Sequence, residues 1–190
     1  MGRAVFLDRD GTLNEEVGHI TRPDALVLLP GAITALKTLV RHGFKTIVIS
    51  NQSAVARGLI SEDALHSIHS SMLDRLGAQG AHLDAIYYCP HHPEVGAPPY
   101  RTQCKCRKPG TELIERAARE HDLNLSDCFV VGDRYQDIGM AHAVAAQGVL
   151  VLTGHGKSEV NSEMSGGRDR PDFIANDVLD AANWIIGQKK

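Results

Sequence analysis

A chain of 190 residues can bury a sizeable core and is short enough to read as a single domain, residues 1–190. Its 20 Lys and Arg stand against 23 Asp and Glu, with a net charge of -3 and 5% aromatic residues. That balance argues against a broad basic face for nucleic acid and against a stacking platform for single strands. No stretch approaches a membrane span, and the first apolar run stops at Asp8, too short for a signal-peptide core, so a cytoplasmic protein without membrane partners is expected.

Ala4 to Leu7 reads as a buried strand, followed at once by Asp8. Apolar residues at 32, 33, 36, 39 and 40 have helical spacing, and Gly43 stops that helix. Phe44 to Ile49 is a second strand leading into Ser50. Glu62 to Leu76 is helical, with Ser61 as its N-cap. Ala85 to Tyr88 is a third strand. Cys89 to Pro109 is rich in Pro, His and Cys without any period, and reads as a loop. Thr111 to His121 is helical, and Cys128 to Val131 is a fourth strand ending in Gly132-Asp133. Tyr135 to Ala145 is helical, and Val149 to Leu152 is a fifth strand. The polar, Gly-rich segment from Gly154 to Arg170 reads as a mobile loop. A short strand near Phe173 and a helix from Asp177 to Ile186 follow.

Strands alternating with helices imply an α/β fold, a Rossmann-like three-layer arrangement around a central parallel sheet. Ligands bind such sheets beyond the carboxyl ends of the strands. Asp8, Ser50 and Asp133 follow the first, second and fourth strands, so all three converge on one edge.

The sharpest signal there is Asp8-Arg9-Asp10-Gly11-Thr12-Leu13-Asn14. Two carboxylates two residues apart, just past a strand, can both reach a metal-bound phosphate, and Gly11 allows the sharp turn. The plain alternative is a solvated acidic turn, but Asp-x-Asp-Gly-Thr arises by chance in only about one chain in a thousand of this length. The string resembles the haloacid dehalogenase (HAD) phosphatase superfamily. Three further motifs of that family follow in order: Ser50 after the second strand, Lys108, and Gly132-Asp133-Arg134-Tyr135-Gln136-Asp137. The resemblance implies a phosphatase in which Asp8 takes the phosphoryl group and passes it to water. It implies Mg²⁺ held by Asp8, the Asp10 carbonyl and Asp133, with the Asp10 side chain as acid and then base. Ser50 and Lys108 are implied to bind the phosphoryl oxygens, and Asp137 to orient Lys108 or a metal-bound water.

Only 41 residues (9–49) separate Asp8 from Ser50, so no large cap domain fits, and specificity must come from loops. The candidate substrate contacts are Glu16 and His19 on a flap, Asn51, Gln52 and Ser53, and the forks of Arg107 and Arg134. His19 either touches the substrate or packs the flap. The remaining histidines, His69 among them, are read as surface or boundary residues, and no dimer stripe is evident, so a monomer is expected.

Cys89-Pro90-His91-His92 and Cys104-Lys105-Cys106 offer three thiolates and an imidazole, with twelve residues between His91 and Cys104. Three sulfurs and one nitrogen suit a closed, structural Zn²⁺ site in the loop 89–108, with His92 as an alternative to His91. Unrelated cysteines or a redox pair are the alternatives. This loop, Asn51-Gln52-Ser53-Ala54-Val55-Ala56-Arg57-Gly58 and Arg107-Lys108-Pro109 resemble the D-glycero-D-manno-heptose 1,7-bisphosphate 7-phosphatases, a HAD family with a zinc loop directly before Arg-Lys-Pro. That resemblance implies removal of the C7 phosphate of a sugar bisphosphate in ADP-heptose and lipopolysaccharide-core precursor synthesis. It implies that zinc stiffens the loop presenting Arg107 and Lys108. The histidinol-phosphate phosphatases carry a similar, shorter loop and are the alternative enzyme. A zinc-stapled binding module without catalysis is the alternative of another class.

Overall fold

The computed structural model describes residues 2–163 and 170–188. Six strands form one sheet: β1 (Ala4–Leu7), β2 (Lys45–Asn51), β3 (Ala85–Cys89), β4 (Phe129–Gly132), β5 (Gln147–Val151) and β6 (Phe173–Ala175). All neighbours pair in parallel, in the order β3-β2-β1-β4-β5-β6. Among the described residues the α-helices are α1 (Ala32–Arg41), α2 (Glu62–Ala78), α3 (Glu112–Glu120), α4 (Tyr135–Ala143), α5 (Gly156–Glu163) and α6 (Val178–Gly187), and all but α5 pack on the sheet.

Successive side chains of a strand point to opposite faces, and each face has its own core. Val5, Leu7, Val48, Phe129, Val131 and Val149 pack with α1, α2 and α6. Ala4, Phe6, Ile47, Ile49 and Val130 pack with α3 and α4. The sheet is thus buried on both sides, which explains why its strands are continuous apolar runs.

The chain leaves β1 toward β2 and leaves β4 toward β5, so the strand order reverses between the neighbours β1 and β4. A crevice opens at such a switch point, and Asp8 and Asp133 are the residues that enter it. Only a flap, a short 3-10 turn, α1 and most of β2 lie between Asp8 and Ser50. Between Ser50 and Lys108 stand α2, β3 and the Cys-rich loop. No cap covers the crevice among the described residues.

One expectation is corrected. Within Gly154 to Arg170, read as a mobile loop, Gly156–Glu163 is helix α5. Gly156 N–H donates to the Thr153 carbonyl at 2.9 Å, and Glu159 accepts from the Tyr135 N–H at 3.0 Å, which ties the turn and helix to α4. Residues 164–169 lie outside the described residues. No helix is long and apolar enough to cross a membrane among the described residues.

Candidate active site

The Asp-x-Asp-Gly-Thr string folds tightly because Leu13 and Asn14 N–H both return to the Arg9 carbonyl, at 2.9 and 3.1 Å. Gly11 sits at φ 76°, where a Cβ would lie 2.2 Å from Asp133 Oδ2. Only glycine lets this turn and the Asp133 carboxylate come together.

Lys108 is the centre of charge beneath the cleft. Its ammonium lies 2.9 Å from Asp8 Oδ1, 2.7 Å from Asp137 Oδ1 and 2.9 Å from the Ile49 carbonyl. Two carboxylates and one carbonyl thus surround the ammonium. Burial alone would lower the Lys108 pKa, but Asp137 and Asp8 outweigh it and raise it above the ordinary range, so the group is charged. Asn51 holds the lysine's backbone: its Oδ1 accepts from Lys108 N–H at 3.0 Å, and its amide donates to the Lys108 carbonyl at 3.3 Å.

Asp8, Asp133 and Asp137 bring carboxylate oxygens within 4.8 Å of one another. Burial, and then the Asp8 charge, push Asp133 up to about 8. One lysine balances one of three carboxylates, and a buried set of hard oxygens with negative charge to spare fits a divalent cation such as Mg²⁺. Asp133 also shares a 4.8 Å group with Glu16 and His155 across the mouth of the cleft.

Asp10 is held differently. Its Oδ1 accepts from Arg9 Nε at 3.1 Å, Arg9 Nη2 at 2.9 Å and Asn14 Nδ2 at 2.9 Å. Its Oδ2 accepts from Arg9 Nη2 and Gln52 Nε2, both at 2.8 Å. Burial would raise the Asp10 pKa, but the Arg9 guanidinium and the amides of Asn14 and Gln52 outweigh it and hold it below the ordinary value. The same Gln52 amide donates to Ser50 Oγ at 2.8 Å, so Ser50 and Asp10 are tied through one side chain.

A cleft of about 360 Å³ opens above these groups. Asp8, Asp10, Ser50 and Asp133 line it, and so do Glu16, His19, Asn51, Gln52, Ser53, Arg107 and Arg134. Lys108 is brought to the floor rather than the lining. Arg9, Gln136 and His155 also line the cleft. None of these three was singled out in the sequence. His155 Nε2 faces Glu16 Oε2 at 3.5 Å.

His69 is not the surface or boundary residue expected of it. It is buried and its Nε2 lies 3.1 Å from Arg9 Nη1. The signal was available: Leu65, Ile68, Met72 and Leu76 form the buried stripe of α2, and His69 falls inside it.

In the Cys-rich loop, the sulfurs of Cys89, Cys104 and Cys106 stand 3.1 to 3.5 Å apart, and His91 Nδ1 lies 3.3 and 3.8 Å from Cys106 and Cys89. A tetrahedral zinc with about 2.3 Å sulfur bonds has edges of about 3.8 Å, so four donors already clustered this closely fit one Zn²⁺. His92 is turned elsewhere, its Nδ1 accepting from the Glu94 and Val95 N–H groups at 3.1 Å, which leaves His91 as the fourth donor. Arg107 Nη1 donates to the His91 carbonyl at 3.2 Å, joining the arginine to the Cys/His cluster.

A parallel sheet whose switch point presents this carboxylate pair and a buried lysine defines a HAD-like phosphatase. A family model described as HAD-hydrolase-like matches residues 105–181. The D-glycero-D-manno-heptose-1,7-bisphosphate 7-phosphatase of Thermosynechococcus vestitus is 41% identical over 186 residues, 96% of this chain and 94% of the relative. The D-glycero-beta-D-manno-heptose-1,7-bisphosphate 7-phosphatase of Haemophilus influenzae is 36% identical over 100% of both chains. A solved D,D-heptose 1,7-bisphosphate phosphatase from B. bronchiseptica, complexed with magnesium and phosphate, has a TM-score of 0.85 at 31% identity, covering 98% of each chain. The chain belongs to the heptose-1,7-bisphosphate 7-phosphatase family of HAD-like hydrolases.

Proposed function

We propose that the chain removes the C7 phosphate of D-glycero-D-manno-heptose 1,7-bisphosphate through an aspartyl-phosphate on Asp8. The observation that carries this reading is the seating of Arg107: it lines the cleft beside Asp8 and hangs on the Cys/His cluster of the loop 89–108. A bisphosphate carries a second dianion away from the reacting one, and a planar guanidinium on a pinned loop is suited to read it. Arg134 is the second such fork.

Asp8 is the nucleophile. Arg9 N–H and Lys108 Nζ both approach Asp8 Oδ1, at 2.7 and 2.9 Å, which orients the carboxylate. Asp8 Oδ2 forms the bond to phosphorus as the bond to the sugar oxygen breaks. Asp10, ionised in the free site, takes up a proton from solvent and gives it to that oxygen, then takes one from the water that hydrolyses the aspartyl-phosphate, releasing inorganic phosphate. Ser50 binds a phosphoryl oxygen, and Lys108 balances charge from below. Mg²⁺ held by Asp8, the Asp10 carbonyl and Asp133 would supply positive charge against the repulsion between carboxylate and phosphate dianion. Asn51 and Gln52 serve this site mainly by holding Lys108 and Asp10, while Glu16, His19 and Ser53 face the sugar. The enzyme is taken to act in the cytoplasm as a monomer, without nucleic-acid or membrane partners.

The deciding experiment is phosphate release with Mg²⁺, comparing kcat/KM for both anomers of heptose 1,7-bisphosphate with histidinol phosphate. A preference of at least about tenfold for one heptose anomer is expected. A preference for histidinol phosphate overturns the substrate and keeps the chemistry.

A further inference from the structure

Arg9 stands between the two motif carboxylates, yet its side chain is buried, at 1% exposure. Taking a guanidinium out of water costs several kcal/mol unless its donors are matched, and an apolar residue of similar size fills space more cheaply. Arg9 has two partners. Its Nε and Nη2 fork onto both oxygens of Asp10, at 2.8 to 3.1 Å. Its Nη1 faces His69 Nε2 at 3.1 Å.

Arginine only donates, so His69 Nε2 must accept, and the imidazole is neutral with its proton on Nδ1. Helix α2 carries His69 on its buried stripe. The ring of Tyr88 packs against it at 5.6 Å, and the Tyr88 hydroxyl donates to Glu62 at 2.7 Å. The guanidinium is therefore anchored at one end to a rigid helix and offers its fork to Asp10 at the other. The amides of Asn14 and Gln52 donate to the same carboxylate, whose side chain keeps 19% of its surface open to the cleft.

We propose that Arg9, anchored by His69, is a positioning residue for Asp10 that aims its carboxyl group at the leaving oxygen. This rests on the reading of Asp10 as the acid and base of the reaction. Proton transfer needs the donor within hydrogen-bond reach of the oxygen it serves, and a rotated carboxyl group loses the transfer without losing substrate. The effect must then depend on how much the leaving group needs a proton. A sugar alkoxide needs it, and a p-nitrophenolate does not.

The test measures kcat/KM on a sugar phosphate and on p-nitrophenyl phosphate for the wild type, Asp10→Asn, Arg9→Met, Arg9→Lys and His69→Leu. Arg9→Met is expected to lose about 100-fold on the sugar phosphate and less than about 5-fold on the aryl phosphate, the pattern of Asp10→Asn. Arg9→Lys keeps the charge without the fork and should retain the skew. His69→Leu, one residue further from the chemistry, should show the same skew at about 10-fold and keeps the test decisive should Arg9→Met not fold. Equal losses on both substrates, or no loss in His69→Leu and Arg9→Lys, would overturn the proposal and leave Arg9 a packing residue. No skew in Asp10→Asn itself would instead overturn the reading of Asp10.

Discussion

Lys108 Nζ lies 2.9 Å from the Asp8 carboxylate that is proposed to attack phosphorus, and its side chain has no exposed surface. The lysine is also 2.7 Å from Asp137, so one buried cation holds two carboxylates of a cluster of three. It came to this place from a loop, through the Asn51 amide that pairs with its backbone.

Replacing this cation should be costly twice. Lys108→Met leaves Asp8, Asp133 and Asp137 facing one another, and breaking a buried pair on one side costs about 3–5 kcal/mol. Urea unfolding of the metal-free protein is expected to show a loss of that order, with phosphate release down by at least about 10³-fold. A variant as stable and as active as the wild type would remove Lys108 from the charge balance.

Asp8→Asn should behave in the opposite sense on stability. It removes the negative charge that, after burial, does most to push Asp133 up to about 8. The metal-free variant is expected to melt no lower than the wild type while releasing no phosphate above background. Near-normal release would show that another group is the nucleophile.

Metal analysis of protein purified without chelator is expected to find one zinc per chain. Stripping it should raise KM on the bisphosphate more than it lowers kcat, because Arg107 hangs on the His91 carbonyl. Arg107→Ala should reproduce that change and reduce discrimination between bisphosphate and monophosphate by about tenfold or more. Unchanged discrimination would mean that Arg107 does not read the second phosphate.

The buried imidazole of His69 gives the fold a pH dependence. Burial, and then the Arg9 charge, push its pKa from 6.5 down to about 3. The unfolded chain takes up a proton near pH 6.5 while the folded chain stays neutral, so this stability is fully present above pH 6.5 and lost as pH falls toward 3. About 2 kcal/mol should go between pH 8 and pH 5. In His69→Leu that share of the slope should vanish from urea-unfolding free energies. Identical slopes in the two proteins would mean that His69 is not held neutral.

Local pattern carried far in this chain. Continuous apolar runs marked Ala4–Leu7 and Cys128–Val131 as buried strands, observed at Ala4–Leu7 and Phe129–Gly132, and residues just past those ends had to enter the crevice. The Cys/His cluster was equally legible, because Cys-x-His and Cys-x-Cys set two donors each within one short turn. Ser61 could be named as a cap because capping acts over three residues, and its hydroxyl does accept from Ala64 N–H.

Partners set by the sheet were another matter. Arg9 and His69 are 60 residues apart in the chain, and Lys108 and Asn51 are 57 apart. Only the strand order brings β1, β2 and α2 together, and no window of sequence contains both members of either pair. Composition makes Arg9 an exposed residue by default, since a lone guanidinium is expensive to bury. The chain by itself determined the strands, the motif carboxylates and the donors for zinc, all of which follow from short-range spacing. The tertiary structure alone decided that Arg9 is buried, that His69 accepts from it and that Lys108 lies between Asp8 and Asp137 on the floor of the cleft. Those outcomes depend on which polar groups meet once water has been excluded.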